Sequence, residues 1–574
     1  MRFGEVAKSF AQLEATGSRL RCVRIIADLL SNVPAPDLAA AVYLLQGQLR
    51  PAYEGIEVGI GERGLLRILA AVYDETEAVI ARRFRQSGDL GLVAESLAGR
   101  APPARLTLRQ AYDGLLAVAR AGGPGSVERK ARLMAVLLRR AAPAEARYLV
   151  RIVQGRLRLG VGDATVAEAT ALGALGDCAR KDDVEHAYNV RSDLGSVVHL
   201  AFTRGARGLA GVAPLVGTPV RPALAQRLPS ADAIVKRLGT VHAEPKYDGF
   251  RLQMHRDGAR VWAFSRRLEN VSEMFPELSA GVRRQLRARR AIIEGEAVVW
   301  EPKTGKFLPF QVTMTRKRKH GVAEAAARHP LRLFAFDLLS VNGRSWLSRP
   351  QHERHARLSA LVRGTRRDPV AVTEVLVTDN ARELQSYFNA MIRRGLEGVV
   401  AKRPDAPYRT GARGYDWIKL KRAYQSKLRD TVDLVLVGYL AGRGKRAALG
   451  VGSLLAAVYE PRADRFRTVA KIGSGPTEKE WTSLRAALDR LAVRAKPGRV
   501  DSLITPDVWV EPSLVVEVLA DEITRSPRHT CGKTAAQPGY ALRFPRMLGG
   551  VRRDKRAEDA TTEREIVELH RMQK

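Results

Sequence analysis

The spacing of apolar residues changes between residues 205 and 240, and this change restricts the chain to folds that combine different classes of domain. Before it, segments such as 128–158 place apolar residues three and four apart with basic residues on the other face, as amphipathic helices do. After it, short β-branched and aromatic runs appear, for example at 260–265 and 291–300, with helical stretches between them. A chain of 574 residues is also too long for a single core.

The pattern predicts a multidomain protein with units in the order all-α, α+β and all-β. Residues 1–205 are expected to form an all-α, helical domain, followed by a Gly- and Pro-rich linker at 204–226. A mixed α+β domain with antiparallel sheets is predicted for 215–425. Residues 430–574 contain short strands and one helix at about 477–493, which fits a small all-β barrel of the OB-fold type with a C-terminal helical tail.

The charge of the chain indicates a polyanionic partner. Lys and Arg number 96 against 61 Asp and Glu, which gives a formal net charge of +35. Nucleic acid is the first candidate for such a partner, and a merely basic protein or a binder of acidic membrane surfaces is the alternative. Apolar runs stay well short of the ~18–20 residues that a membrane span needs, and the N-terminus lacks the apolar segment of a signal peptide. The chain is therefore expected in the cytoplasm.

The cysteines exclude two kinds of scaffold. Cys22, Cys178 and Cys531 lie far apart in the sequence, and the chain contains no C-x-x-C pair. A zinc ribbon or finger and a disulfide framework are therefore not expected. Buried or neutral thiols are the simplest interpretation of all three.

The segment HAEPKYDGFR (242–251) places Lys246 directly before a Tyr-Asp-Gly turn, with Arg251 close behind. Lysine is a poor nucleophile while it is protonated, and its reference pKa is about 10.4. Desolvation or neighbouring cations would favour the neutral amine, which suits attack on a phosphorus centre. Taken alone, Lys-x-Asp-Gly is equally expected of a plain surface turn.

Lys246 opens the first of six segments that follow one another through the α+β unit. In order they are KYDGFR (246–251), FSRRLEN (264–270), IIEGEAVVW (292–300), LFAFDLL (333–339), EGVVAKR (397–403) and WIKLKR (417–422). This order and spacing resembles the covalent nucleotidyltransferases, which comprise ATP-dependent DNA ligases, RNA ligases and mRNA capping enzymes.

Within that superfamily the ATP-dependent DNA ligases match best, over nearly the whole chain. Residues 305–320, 522–533 and 542–555 look like the version shared by archaeal, eukaryotic replicative and some bacterial enzymes. The Gly-rich segment 154–169 resembles part of a helical DNA-binding domain that capping enzymes and small RNA ligases lack. The N–H groups at such a helix start can hold a phosphate. NAD-dependent bacterial ligases carry a cysteine zinc site, so the cysteine count argues against them.

The resemblance implies an enzyme that uses ATP to seal nicks in duplex DNA. Lys246 would attack the α-phosphorus of ATP, AMP would pass to the 5′-phosphate at a nick, and the 3′-hydroxyl would displace AMP. The alternatives are an RNA ligase, a capping-type nucleotidyltransferase, and a non-catalytic basic DNA-binding protein with a degenerate core. Nicked double-stranded DNA is the expected partner of a monomer. The sequence shows no convincing clamp-binding peptide, so a sliding clamp stays open.

The resemblance also assigns roles to side chains around Lys246. Glu244 would read the adenine of ATP, and Phe336 would stack on it, with Phe334 as the alternative on the same strand face. Glu296, near the ribose, and Glu397 would hold Mg²⁺ or another divalent cation, since Mg²⁺ prefers one or two carboxylates plus waters and phosphates. Contacts to the ribose or the phosphates are expected from Arg251, Arg266, Arg413, Lys419 and Lys421.

The last motif and a linker complete the predicted machinery. In the family this motif meets the pyrophosphate during the first step, which assigns that role to Arg543, Arg546, Asp554 and Lys555. The C-terminal unit would then swing over the site and away, so 423–430 is expected to be a hinge. Two basic clusters carry weaker expectations. RKRK (316–319) is either a solvated turn or a DNA contact, and RRQLRARR (283–290) is interpreted as an exposed face.

Overall fold

The residues that a computed structural model of the chain describes are 1–99, 106–301, 307–308, 312–313, 315–318, 320–364, 368–421, 431–441 and 450–573. The first part, termed the helical unit, confirms the all-α prediction. Its helices are α1 (Phe3–Glu14), α2 (Arg19–Asn32), α3 (Leu38–Leu45), α4 (Glu62–Tyr73), α5 (Glu77–Ser87), α6 (Leu90–Ala98), α7 (Leu108–Arg120), α8 (Ser126–Arg139), α9 (Pro143–Val153), α10 (Asp163–Leu175), α11 (Lys181–Arg191) and α12 (Leu194–Ala210). Their apolar faces meet in one core around Phe3, Phe10 and Tyr148. Ser18 and Thr107 are the N-caps of α2 and α7, because each hydroxyl accepts a hydrogen bond from a backbone N–H of the first turn.

The last helix of this unit extends into the segment that was expected to be a linker. α12 continues to Ala210, although Gly205 has a φ of 57° and interrupts the helical backbone there. Leu209 is buried in the core of the helical unit, and this packing holds the end of the helix. The prediction of a linker starting at residue 204 is therefore wrong for 204–210, because packing outweighs the local glycine signal.

The middle of the chain, termed the two-sheet unit, forms two sheets that pack against each other. Its elements are β1 (Leu224–Arg227), α13 (Ala231–Leu238), β2 (Val241–Lys246), β3 (Phe250–Asp257), β4 (Arg260–Ser265), α14 (Pro276–Gln285), β5 (Arg290–Val299), α15 (Val322–Arg328), β6 (Leu331–Val341), β7 (Arg344–Ser345), α16 (Gln351–Leu361), β8 (Val370–Val372), β9 (Leu376–Thr378), α17 (Ala381–Arg393), β10 (Gly398–Lys402) and β11 (Arg413–Lys421). The first sheet has the order β1-β11-β10-β2-β9, and the second has the order β4-β3-β5-β6-β7 with β8 beside β6. The neighbours of β2, β3 and β5 are antiparallel, as predicted. The pairs β1–β11 and β6–β8 are parallel.

Helices cover the outer faces of both sheets and leave the inner faces to form a cleft. α13 and α17 pack on the first sheet around Ile234 and Leu384. α14 and α16 pack on the second sheet, where Leu358 is fully buried. Between the sheets, Trp417 of the first packs in one cluster with Leu339 of the second. The strands that carry the predicted motifs therefore present alternate side chains to this cleft.

The two basic clusters differ in exposure. The arginines of 283–290 are exposed, as expected, although two residues between them are buried. Arg316 is buried instead, and its guanidinium donates hydrogen bonds to Glu277 at 2.6 Å and to the His329 carbonyl at 3.0 Å. A solvated turn at 316–319 is therefore the wrong interpretation for Arg316, whose charge is paired inside the protein. Lys319 lies outside the described residues.

The last part, termed the C-terminal unit, consists mainly of strands. Its elements are β12 (Thr431–Leu440), β13 (Ser453–Glu460), β14 (Arg465–Ile472), α18 (Glu478–Asp489), β15 (Ala492–Val493), β16 (Val500–Asp501), β17 (Val508–Val510), β18 (Val515–Leu519), β19 (Glu522–Ser526), β20 (Gly539–Arg543), β21 (Arg546–Val551) and α19 (Glu563–Met572). β12 is central, because it pairs with β13, β17 and β18. The predicted strands and the predicted helix are confirmed, and α18 is shorter than expected. In the described ranges, every helix is too short or too polar to cross a membrane.

The Gly-rich segment that leads into α10 meets the C-terminal unit. Gly162 caps the helix, and the Thr165 hydroxyl donates a hydrogen bond to an Asp464 carboxylate oxygen at 2.7 Å. A Cβ atom on Gly162 would lie 2.8 Å from the Arg499 guanidinium and 2.9 Å from the same carboxylate, so a larger residue there would displace this pair of side chains. The carboxylate thus lies at the helix start where the sequence predicts a phosphate.

Candidate active site

Lys246, Glu397 and Lys421 meet at the ends of three neighbouring strands of the first sheet. Gly398 pairs in register with both Lys246 of β2 and Lys421 of β11. Glu397 directly precedes this glycine, and its backbone N–H donates to the Lys246 carbonyl at 3.1 Å. Its carboxylate forms ion pairs with both lysines. Gly398 has a φ of 148°, and a Cβ atom there would collide with the Leu420 carbonyl, so the motif needs glycine at this position.

The charges in this group correct one expectation from the sequence. Burial alone would lower the pKa of Lys246, but the surrounding carboxylates of Glu397, Glu296 and Asp248 together outweigh burial and raise it. Burial alone would raise the pKa of Glu397, but Lys246 and Lys421 lower it to about 2. Lys246 is therefore an ammonium ion in the nucleotide-free protein. The sequence led us to expect surroundings that favour the neutral amine of Lys246. This expectation is wrong for the nucleotide-free protein, because Lys246 is paired with the Glu397 carboxylate.

Glu296 faces this group from the second sheet. It lies on β5 between Arg251 of β3 and Phe334 of β6, with which it is in register. Burial raises the pKa of Glu296 to about 7, while the charges of Lys246 and Arg251 act in the opposite direction. Within the described ranges, its carboxylate has no protein hydrogen bond or ion pair, and no three His, Cys, Asp or Glu side chains cluster as metal ligands. The two carboxylates that face each other here fit the donor set of Mg²⁺, which takes its other ligands from water and phosphate.

Glu244 and Lys402 form a buried pair deeper in the cleft. Their side chains are 3% and 1% exposed, and Lys402 Nζ lies 2.8 Å from Glu244 Oε1. Gln351 donates a longer hydrogen bond of 3.4 Å to the same carboxylate. Burial raises the pKa of Glu244 to about 7, and Lys402 limits this rise. Lys402 also donates to the Phe336 carbonyl at 3.1 Å and lies 4.8 Å from the centre of its ring.

The surroundings of Phe334 and Phe336 distinguish the two candidates for adenine stacking. Phe334 is 9% exposed, and its ring is stacked on Tyr247 with centroids 4.2 Å apart and planes 15° apart. Phe336 is half-buried and meets Trp417 edge-on at 6.0 Å. One face of Phe334 is thus already covered by a protein ring, whereas the described aromatic contact of Phe336 is edge-on, and its ring lies beside the Glu244 pair.

The predicted phosphate and ribose contacts fall into different surroundings. Arg251 pairs with Glu294 at 2.8 Å and donates to the Ala223 carbonyl at 2.6 Å, so its guanidinium is held by the protein beside the Phe336 ring. Arg266 lines a small crevice together with Arg251. Lys419 lies two residues before Lys421 and so faces the same side of β11. Arg413 begins β11, and its side chain lies outside the described part of the chain.

The residues of the last motif are divided between two places. Asp554 pairs with Arg552 at 2.7 Å, and Lys555 pairs with Asp433. This segment lies against the two-sheet unit, since the Arg553 carbonyl accepts a hydrogen bond from Arg267. Arg543 and Arg546 lie elsewhere and form exposed pairs, respectively with Glu522 at 3.6 Å and with Asp521 at 2.8 Å.

Several residues of the site were not singled out from the sequence. Lys402 and Asp248 belong to the motifs described in the sequence analysis. The signal available for Lys402 was its charge, which stands at a buried position of an otherwise apolar strand. The pKa of Asp248 is raised by burial and by Glu397, which places it beside the Lys246 pair. Gln351 starts a helix distant in sequence, and its position depends on how α16 packs on the second sheet.

Comparisons with known proteins agree along the whole chain. Family models described as DNA ligase N terminus, ATP dependent DNA ligase domain and ATP dependent DNA ligase C terminal region match residues 2–171, 222–421 and 447–555. The chain is 44% identical over 575 residues to a probable DNA ligase of Dictyoglomus turgidum and 45% identical over 576 residues to one of Dictyoglomus thermophilum. It is 41% identical over 596 residues to the DNA ligase of Aeropyrum pernix. Each alignment covers 100% of this chain and 98% of the relative.

Proposed function

Because this chain belongs to the ATP-dependent DNA ligase family, we propose that Lys246 is the residue on which it carries AMP. Membership makes the protein an enzyme that uses ATP, with nicked DNA as the substrate that the family implies. The observation that carries the assignment is the meeting of Lys246 with Glu397 and Lys421 opposite Glu296.

The first step begins with the release of Lys246 from Glu397. The ammonium must give up one proton to water before its lone pair can attack the α-phosphorus of ATP, and a second proton passes to water as the phosphoramidate forms. A P–N bond then forms, the bond to the β-phosphate oxygen breaks, and pyrophosphate leaves with that electron pair. Lys419 and Lys421, with Arg413, would offset the charge that develops on the phosphate oxygens. Reaction in this step depends on positioning and charge more than on a separate acid or base.

Glu296 and Glu397 are the residues that would hold Mg²⁺ or another divalent cation. Such an ion neutralises charge on phosphoryl oxygens and polarises the phosphorus centre. Glu397 would hold the ion with the same carboxylate that pairs with Lys246 and Lys421. Glu296 already has a carboxylate that faces the group without a described protein partner.

The adenine and ribose would lie on the Glu244 side of the cleft. We assign adenine stacking to Phe336 and the recognition of its polar edge to Glu244, whose carboxylate is fixed by Lys402. Arg251 and Arg266 would contact ribose or phosphate from the second sheet. Arg251 would also have a positioning role, because its guanidinium is paired with Glu294.

The C-terminal unit is proposed to be an OB-type barrel that moves during the cycle. Proposed limits of the domains are 1–205, 215–425 and 430–574, and the hinge proposed at 423–430 lies outside the described residues. Arg543, Arg546, Asp554 and Lys555 would meet the pyrophosphate when this domain closes over the cleft. The exposed positions of the two arginines leave them available for such a rotation.

In the later steps AMP passes to the 5′-phosphate at a nick, and the 3′-hydroxyl displaces AMP to form the phosphodiester bond. We propose that one monomer carries out these steps on nicked duplex DNA, with a sliding clamp as a further candidate partner. The chain has 96 basic residues against 61 acidic ones, and this excess of positive charge supports binding through the phosphate backbone. A cytoplasmic, nucleoid-associated location would follow from this substrate.

Sealing assays test the proposal against its rivals. The protein would be given ATP, GTP or NAD with Mg²⁺ and a nick in DNA or in RNA. We expect sealing of the DNA nick with ATP. Preference for GTP or for an RNA nick would favour the capping-enzyme or RNA-ligase alternative, and DNA binding without sealing would favour the non-catalytic one. Glu296→Gln and Glu397→Gln should abolish sealing at every concentration of added cation. The exposed control Glu374→Gln should seal as wild type does.

A further inference from the structure

Arg227 ends β1, the edge strand of the first sheet, beside the lysines assigned to the triphosphate. It is in register with Lys419 of β11. Leu228, the next residue, packs in the cluster of the outer helices. Because residues in register lie on the same face of a sheet and neighbours along a strand on opposite faces, Arg227 faces the cleft as Lys419 does.

The charge of Arg227 acts on the same group of residues. Burial lowers the pKa of Arg227 to about 10, and Glu397 acts in the opposite direction. The charge of Arg227 also helps to lower the pKa of Lys421, after burial and Lys246. Arg227 therefore acts on the same two side chains, Glu397 and Lys421, that meet Lys246. Phosphate oxygens bound among these residues would also lie in the field of the Arg227 charge.

The order and register of the strands place Arg227 on the outer side of the two lysines. Lys246 and Lys421 lie on β2 and β11 with β10 between them, and Arg227 is one strand further out and two residues along, opposite Lys419. Adjacent strands are about 4.8 Å apart and successive residues about 3.3 Å, so the backbone at Arg227 lies roughly 16 Å from that of Lys246. Long side chains from both ends shorten this gap, and a triphosphate with its α-phosphorus at Lys246 would extend from there towards the Arg227 guanidinium. Guanidinium groups can hold two phosphate oxygens at once.

We propose that Arg227 binds the β- and γ-phosphates of ATP and holds the pyrophosphate as it leaves. This role deepens the proposed nucleotide site and rests on it. Pyrophosphate takes part in the formation of the lysyl-AMP and in its reversal, and it is absent when AMP moves to DNA and when the nick is closed. Arg227 therefore acts in the first step alone.

The test measures the first and last steps separately in full-length protein. Wild type, Arg227→Ala, Arg227→Lys and the control Arg382→Ala would be stripped of AMP with pyrophosphate. Arg382 is exposed on α17, which covers the opposite face of the same sheet. Self-adenylation would be followed with α-labelled ATP over a range of concentrations, and the reverse reaction by release of the label with pyrophosphate. Sealing of a nick that already carries 5′-AMP would be measured without ATP.

We expect Arg227→Ala to lower kcat/KM for self-adenylation and the rate of reversal by roughly 10- to 100-fold, the effect of one lost charge-assisted contact. Arg227→Lys should recover part of this loss, and both variants should close the adenylated nick as fast as wild type. Self-adenylation of Arg227→Ala at the wild-type rate would overturn the inference. An equal loss in both steps would also overturn it, because it indicates a structural role or a DNA contact. If wild type itself took no label, the proposed function would fail instead.

Discussion

Thr165 of the helical unit donates a buried hydrogen bond to Asp464 of the C-terminal unit, although the two residues lie 299 positions apart. Asp464 is held in place by Tyr459 at 2.9 Å and by Arg499 at 2.6 Å. The contact therefore joins the start of α10 to a carboxylate that its own unit has fixed. This carboxylate lies where a DNA phosphate is expected, so the arrangement and DNA binding should compete.

The first prediction concerns this contact. Thr165→Val removes the hydroxyl and should weaken the closed arrangement by about 1–2 kcal/mol. We expect a larger radius of gyration in small-angle X-ray scattering of the DNA-free protein and faster association with nicked DNA. Thr170→Val is the matched control, since the Thr170 hydroxyl bonds to the Val166 carbonyl within the same helix. An unchanged radius for Thr165→Val would show that this contact does not hold the units together.

The second prediction concerns the buried pair of Glu244 and Lys402. Lys402→Met leaves the carboxylate without its partner and should lower the free energy of unfolding by roughly 3 kcal/mol, as the loss of one member of a buried pair does. The double variant Glu244→Gln/Lys402→Met should be more stable than Lys402→Met alone, because no charge then remains buried. Urea unfolding at neutral pH measures both. Equal stability of wild type and Lys402→Met would contradict the pairing.

The third prediction is a pH dependence of stability. The pKa of Glu244 is about 7 in the folded protein and 4.5 without its surroundings, so the folded state binds more protons between these values. The contribution of Glu244 to stability is thus present below pH 4.5 and is lost as the pH rises through 7. The Tm of wild type minus that of Glu244→Gln should fall between about pH 5 and about pH 8. A difference that is constant with pH, as expected for the exposed control Glu374→Gln, would contradict it.

The fourth prediction concerns DNA binding. If the backbone phosphates supply most of the affinity, binding to nicked duplex should weaken by roughly a thousandfold or more between about 50 and about 200 mM salt. Sequence should have little effect, since phosphate contacts carry no base information. Gel-shift titrations at several salt concentrations with two unrelated nicked sequences measure both. A flat salt dependence would show that the net charge of +35 is not used in this way.

Much of the fold was predictable because periodicity and motif order are local properties of the sequence. The strand predicted at 260–265 is β4 (Arg260–Ser265), and the helical character of 1–99 and 106–205 is confirmed. The meeting of Lys246, Glu397 and Glu296 was expected from the resemblance, since each belongs to its own motif.

Other features could not be predicted because they depend on register and packing between distant segments. Lys402 reaches Glu244 only because β10 and β2 pair with Val400 opposite Glu244. Arg316 is buried because α14 brings Glu277 to it. The raised pKa of Lys246 likewise follows from a pairing register that composition and spacing do not reveal.

The central claim is that Lys246 carries AMP, and covalent labelling tests it most directly. Wild type, Lys246→Arg and the exposed control Lys236→Arg would be stripped with pyrophosphate, incubated with α-labelled ATP and Mg²⁺, and separated on a denaturing gel. Lys246→Arg keeps the positive charge for Glu397 but lacks a nucleophilic amine, so its fold should persist. We expect label on wild type and Lys236→Arg, with AMP found by mass spectrometry on the peptide that contains Lys246, and none on Lys246→Arg. Label on Lys246→Arg, or AMP on another peptide, would contradict the account.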